Sequence, residues 1–92
     1  MKKKIIITLD DFRVVSIDAH LVAHDRAEYY SKNDTDTSYQ EEYDYSIGDN
    51  FELVDWLFNN MDWFELSLTL EPSKFKPFSE CEVRGAEVQE VK

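Results

Sequence analysis

Residues 33–65 carry ten carboxylates and not one lysine or arginine. The acids are Asp34, Asp36, Glu41, Glu42, Asp44, Asp49, Glu52, Asp55, Asp62 and Glu65. The same stretch holds Tyr39, Tyr43, Tyr45, Phe51, Leu53, Val54, Trp56, Leu57, Phe58, Met61, Trp63 and Phe64. So much apolar surface excludes a solvated acidic tail, because these side chains must be buried somewhere. The segment therefore folds with its acids sorted to one side, and it accepts the self-repulsion that follows. Solubility alone asks for a net charge of only about 2–8 with the signs interspersed, so a functional acidic face is the expectation.

The remainder of the 92 residues is close to neutral, and the middle segment holds the whole net charge of −10. A chain of this length is expected to form a single acidic α/β domain over 1–92. Its charge disfavours direct binding to nucleic acid or to an anionic membrane. One cysteine, Cys81, excludes an intramolecular disulfide framework. Lys2-Lys3-Lys4 before Ile5-Ile6-Ile7 imitates the start of a signal peptide. The apolar run stops at Leu9 against Asp10-Asp11, too short for a signal core or a membrane span. A soluble intracellular protein is expected.

Pattern and punctuation give the elements. Ile5–Leu9 reads as an inner strand, and Arg13–Ile17 pairs back across an Asp10-Asp11 turn. Asp18 caps a helix over 19–31, where Ala19, Ala23, Ala27 and Tyr30 make the apolar side, with Val22 and Tyr29 extending it. Ser38 with Glu41 forms a capping box for a short helix carrying Tyr39 and Tyr43, which ends at Gly48. Asp49 caps a helix over 50–61 whose stripe is Phe51, Val54, Leu57, Phe58 and Met61. Leu66, Leu68 and Leu70 alternate with polar residues as a half-buried strand, 72–77 is a loop, and a last strand with a bulge near Gly85 ends near Val91. The fold class is α+β: a mostly antiparallel sheet of three to four strands with two or three helices packed on one face.

Catalytic and metal motifs fail one by one. His20 and His24 stand at i, i+4, but Leu21 replaces the glutamate of a zinc-protease helix and no third ligand can be nominated, so surface histidines are expected. Asp34-Thr35-Asp36-Thr37-Ser38 starts like a calcium loop but has Tyr39 and Tyr45 where glycine and glutamate are required. Cys81 lies between Glu80 and Glu82, which oppose a thiolate. No metal, cofactor or enzymatic activity is implied.

The acids carry more information. Asp49, Glu52, Asp55, Asn59 and Asp62 follow steps of three and four, a single stripe opposite much of the apolar face. Successive acids rise about 5 Å along a helix axis. Phosphates recur every ~3.4 Å on one DNA strand, so such a row approximates a phosphate row without matching it. Glu41, Glu42 and Asp44 supply a second row.

Segments SIDAHLVAHDRAEYYSK (16–32) and YQEEYDYSIGDNFELVDWLFNNMDW (39–63), with the alternating C-terminal strands, resemble the Arn family, the small anti-restriction nuclease proteins of T-even bacteriophages. That resemblance implies a DNA mimic that blocks a host restriction endonuclease acting on modified-cytosine DNA. It also implies a homodimer whose acidic surfaces combine. The partner is then the nuclease or another basic DNA-binding protein, and all ten acids of 33–65 are candidate phosphate substitutes. Tyr39, Tyr43 and Trp63 are candidate dimer contacts, since a small core leaves large side chains uncovered. The alternative is an interaction module that docks a specific protein through exposed Tyr and Trp side chains, with the acidity incidental.

Overall fold

The computed structural model describes residues 2–70 and 78–91. Strands β1 (Lys2–Leu9), β2 (Val14–Asp18) and β3 (Val83–Val91) form an antiparallel sheet in the order β2-β1-β3. Helices α1 (Ala19–Asn33), α2 (Tyr39–Ile47), α3 (Asn50–Asn60) and α4 (Trp63–Leu70) lie between β2 and β3 in sequence, with a 3-10 turn at Phe78–Glu80. The fold is α+β, with four helices among the described residues rather than two or three. None is long and apolar enough to cross a membrane. The 72–77 loop lies outside the described residues.

Alternation in β1 sends Ile5, Ile7 and Leu9 into the core, where each is fully buried, together with Val15 and Ile17 of β2. Ile5 pairs with Ile17, and Ile7 with Val15, so the apolar sides of the two strands coincide. The helical layer closes on them through Ala19, Val22 and Ala23 of α1 and Leu53, Trp56 and Leu57 of α3, and Phe78 completes the core. The alanines of α1 let that helix lie close to the sheet. Strand β1 begins at Lys2, earlier than expected, because pairing with β3 draws in the lysines. A register irregularity between Thr8 and Leu9 leaves Arg84 as the extra residue beside Gly85, the bulge expected there.

Local signals set the helix starts. Asp18, Ser38 and Asp49 accept hydrogen bonds from the amides of His20, Glu41 and Glu52 at 2.9, 3.2 and 3.2 Å. Each has extended backbone, as an N-cap requires. Two expectations are corrected. Leu66–Leu70 is helix, not strand: the Asp62 carboxylate accepts from the amides of Phe64 and Glu65 at 3.0 and 3.1 Å and starts α4. Leu66 and Leu70 then face the core one turn apart while Leu68 is exposed. Phe51 is not on the apolar side of α3: it is 74% exposed, and the core face is Leu53, Trp56 and Leu57.

Candidate functional site: an acidic helical face

The acids of 33–65 fall into three groups by what answers their charge. The first group is turned inward. Arg26 of α1, only 8% exposed, reaches between α1, α2 and α3. Its Nη1 donates to Glu42 Oε2 at 2.8 Å and to Ser46 Oγ at 3.0 Å. Its Nε lies 3.7 Å from Glu52 Oε2, an ion pair beyond hydrogen-bond distance, and has no other partner. The rings of Tyr30 and Tyr45 lie against the guanidinium, with centroids 4.6 and 4.9 Å away. Glu42 and Glu52 thus share one cation from outside the acidic segment in sequence.

In the second group the carboxylate caps a helix. Asp49 starts α3 and Asp62 starts α4. Each sits at the positive end of a helix dipole, so part of its outward field is answered by backbone N–H groups. The third group is answered by no cation among the described residues. Asp36, Glu41 and Glu65 are exposed. Asp44 and Asp55 are exposed and accept only from the neutral side-chain amides of Gln40 and Asn59, both at 2.9 Å. Asp34 closes the turn after α1, accepting from the Asp36 amide at 2.9 Å and from Thr37 Oγ1 at 3.1 Å.

The expected single stripe along the third helix is therefore shorter than its spacing suggested. Asp49 precedes α3, Asp62 follows it, and Glu52 turns toward Arg26, which leaves Asp55 and Asn59 as the helical part. A further acid joins the face from outside the segment. Asp25 of α1 accepts from Trp56 Nε1 at 2.8 Å. It lines two adjoining shallow grooves, one with Tyr29 and Trp56, the other with Asp62 and Glu65. A window drawn on the linear sequence misses Asp25; the i, i+3 pair of Asp25 and Glu28 on α1 was the available signal.

The candidate dimer contacts are engaged within the protomer. Tyr39 and Tyr43 are half-buried, and their hydroxyls meet Nδ1 of His24 and His20, each at 2.7 Å. These two pairs fasten α2 to α1, with the imidazoles stacked 6.1 Å apart. Burial, then the nearby Tyr39, Asp18 and Asp44, raises the Tyr43 phenol above its usual range. Trp63 stacks on Phe58 and meets the edge of Phe78 at centroid distances of 5.1 and 5.4 Å.

Among the described residues, the only trio of side chains close enough to share a metal ion is Asp10, Asp11 and Cys81. The Arg13 guanidinium already occupies that corner, 2.8 Å from Asp11 Oδ2 and 3.2 Å from Cys81 Sγ. Hydrogen bonding from the Arg13 amide, the largest of the effects on it, holds the Asp11 carboxyl below its ordinary value. The geometry on the helical side offers charge and shape, with carboxylates lining shallow grooves. No protein-family model, curated protein or solved structure matches the chain.

Proposed function

We propose that the protein is a non-enzymatic inhibitor that presents carboxylates in place of phosphates to the basic DNA-binding cleft of a host protein. The partner we favour is a restriction endonuclease directed at modified-cytosine DNA, met in the bacterial cytoplasm. The supporting observation is the way the charges are sorted. Arg26, the cation paired with acids of the segment, is buried beneath it, Lys3 reaches only the Ile47 carbonyl and Asn50 Oδ1, and among the described residues no cation pairs with the outward acids. Such a face steers a basic partner by its long-range field and forms ion pairs with its Lys and Arg side chains on contact.

A second reading has its own observation. Phe51 and Phe64 are 74% and 57% exposed, and they flank the acids of α3 and α4. A partner docking on these rings would be held by buried aromatic anchors rather than by charge. Salt separates the two readings. The test is capture of the nuclease by the immobilised protein over a series of ionic strengths, with and without competing duplex DNA. Mimicry requires affinity to fall steeply with salt and DNA to displace the captured protein. Salt-insensitive capture that disappears in Phe51→Ala or Phe64→Ala favours aromatic docking.

A further inference from the structure

Arg26 shows how this chain holds a guanidinium. Two carboxylates, Glu42 and Glu52, and two rings, Tyr30 and Tyr45, close around it. One step along α1 the same kinds of side chain recur facing a groove, with no arginine in the groove lining among the described residues. Asp25, Glu28, Tyr29 and Trp56 line the first shallow groove, and Asp25 also lines the second beside Asp62 and Glu65. The two join at Asp25 into one trough along α1, the end of α3 and the start of α4. Its aromatic wall continues that of the inner site, because Tyr29 and Tyr30 both meet Trp56, at centroid distances of 5.5 and 5.7 Å. Tyr29 is 53% exposed. Asp25 Oδ2 accepts from the Trp56 indole, and Asp25 Oδ1 has no hydrogen-bond partner among the described residues. The cation in the lining is Lys32, which pairs with Glu28 at 3.6 Å rather than with Asp25.

We propose that this trough seats one arginine side chain of a protein partner, its guanidinium paired with Asp25 and lying on the Tyr29 ring. Charge and shape together select the occupant. Asp25, Glu28, Asp62 and Glu65 border the trough against the single Lys32, a balance that repels anionic ligands and draws a cation. Asp25 and Tyr29 stand at i, i+4 on α1, so carboxylate and ring are neighbours on one face of the helix. A guanidinium is planar and weakly hydrated, and it can stack on a ring while donating in a fork to a carboxylate. An ammonium matches the charge but neither the flat ring nor the fork. A neutral side chain would cover carboxylates without pairing them, which costs free energy. Lys32 competes for Glu28, so its loss should make the seat more attractive to an incoming cation. Asp25, Glu28 and Tyr29 all lie outside the ten-acid segment. The inference rests on the helical side being the face for a basic protein, and names the side chain that this face receives. It does not require that protein to be a nuclease.

The probe is a blocked pentapeptide with one arginine flanked by glycines, titrated into the isotope-labelled full chain and followed by nuclear magnetic resonance. The Trp56 indole N–H, which Asp25 accepts, and the backbone amides of Asp25 and Tyr29 should shift saturably. A lysine version should bind several-fold more weakly, and a citrulline version, isosteric but uncharged, should give no saturable shift. Asp25→Asn keeps an acceptor for the indole and loses the charge, so it should weaken binding of the arginine peptide about tenfold. Tyr29→Leu keeps apolar bulk without a π face and should erase much of the preference for arginine over lysine. Lys32→Gln should tighten binding, and Glu90→Gln on β3 should leave it unchanged. Equal responses to arginine and citrulline, shifts confined to other residues, or undiminished binding by Asp25→Asn overturn the inference. Salt-sensitive capture of the nuclease beside a silent peptide titration leaves the mimic reading standing and overturns the seat. An arginine-specific shift at Asp25 without capture of the nuclease does the reverse.

Discussion

Replacing Arg26 with Met keeps much of the aliphatic bulk of the side chain and removes the cation from among α1, α2 and α3. Glu42 and Glu52 are then left facing the same vacated space with side chains 22% and 27% exposed. Breaking a fully buried ion pair costs about 3–5 kcal/mol. Water reaches about a quarter of each carboxylate, so the charge part here is roughly 2–3 kcal/mol, with something under ~1 kcal/mol more for each lost ring contact at Tyr30 and Tyr45. The total is about 3 kcal/mol. For a domain of this size that corresponds to a melting temperature roughly 12–24 °C lower. Thermal melts and urea titrations followed by circular dichroism measure it. Removing the orphaned charges as well, with Arg26→Met, Glu42→Gln and Glu52→Gln combined, should restore at least half of the loss. Neighbours in one network are not additive, and the like-charge repulsion disappears with them. A single variant within about 0.5 kcal/mol of the parent would refute the central role of Arg26. A triple variant no more stable than the single one would refute the repulsion argument.

Two further outcomes follow from local geometry. Phe12, at the tip of the β1–β2 hairpin, has φ 70 and is 82% exposed, so Phe12→Gly sheds left-handed strain while losing little buried surface. Stability should rise by about 0.5–1 kcal/mol, and a lower melting temperature would mean that the ring contributes more than its exposure implies. The raised pKa of Tyr43 favours the neutral phenol in the folded state. Its contribution to stability is complete below the unfolded phenol's pKa and is lost as pH rises through the folded value. Ultraviolet titration should show a late-ionising tyrosine that Tyr43→Phe removes, and an unchanged titration curve would contradict it.

What was legible in the sequence was what neighbours in the chain decide. Asp18, Ser38 and Asp49 cap their helices within three residues, and Ile5–Leu9 alternates on its own strand. The start of α4 was equally local. Asp62 followed three residues later by Glu65 is a helix-start pattern, but three leucines spaced two apart read as a strand. Leu66 and Leu70 satisfy both periods, and only the cap decides. On α3 apolar residues occupy so much of the circumference that the stripe can be drawn through Phe51 or through Leu53, and contact with α1 and the sheet makes the choice. The fate of Glu42 and Glu52 was beyond local reading, because Arg26 approaches from 16 and 26 positions away in the sequence. Charge counted by segment treated ten acids as equivalent, and the fold does not.

That inequality makes the proposed function testable residue by residue. Glu42 and Glu52 share the one buried Arg26 cation, so Glu42→Gln or Glu52→Gln should change affinity for a basic partner less than loss of an outward acid does, while altering stability. Asp49 and Asp62 are partly answered by helix N-termini, and replacing either by Asn should weaken binding modestly. Asp36, Glu41, Asp44, Asp55 and Glu65 have no cation answering them among the described residues, and they matter most if carboxylates stand in for phosphates. Neutralising one of these that meets the partner should lower the salt slope of log K by somewhat under ~1, by analogy with counterion release. Stability should hold or rise slightly as like charges leave the face. Neutralising Glu82, Glu87 and Glu90 removes equal formal charge per residue from the C-terminal strand region, outside the acidic segment, and serves as the control. Equal losses from the outward acids, the Arg26-bound pair and the control would mean that only net charge matters, and a localised acidic face would be refuted.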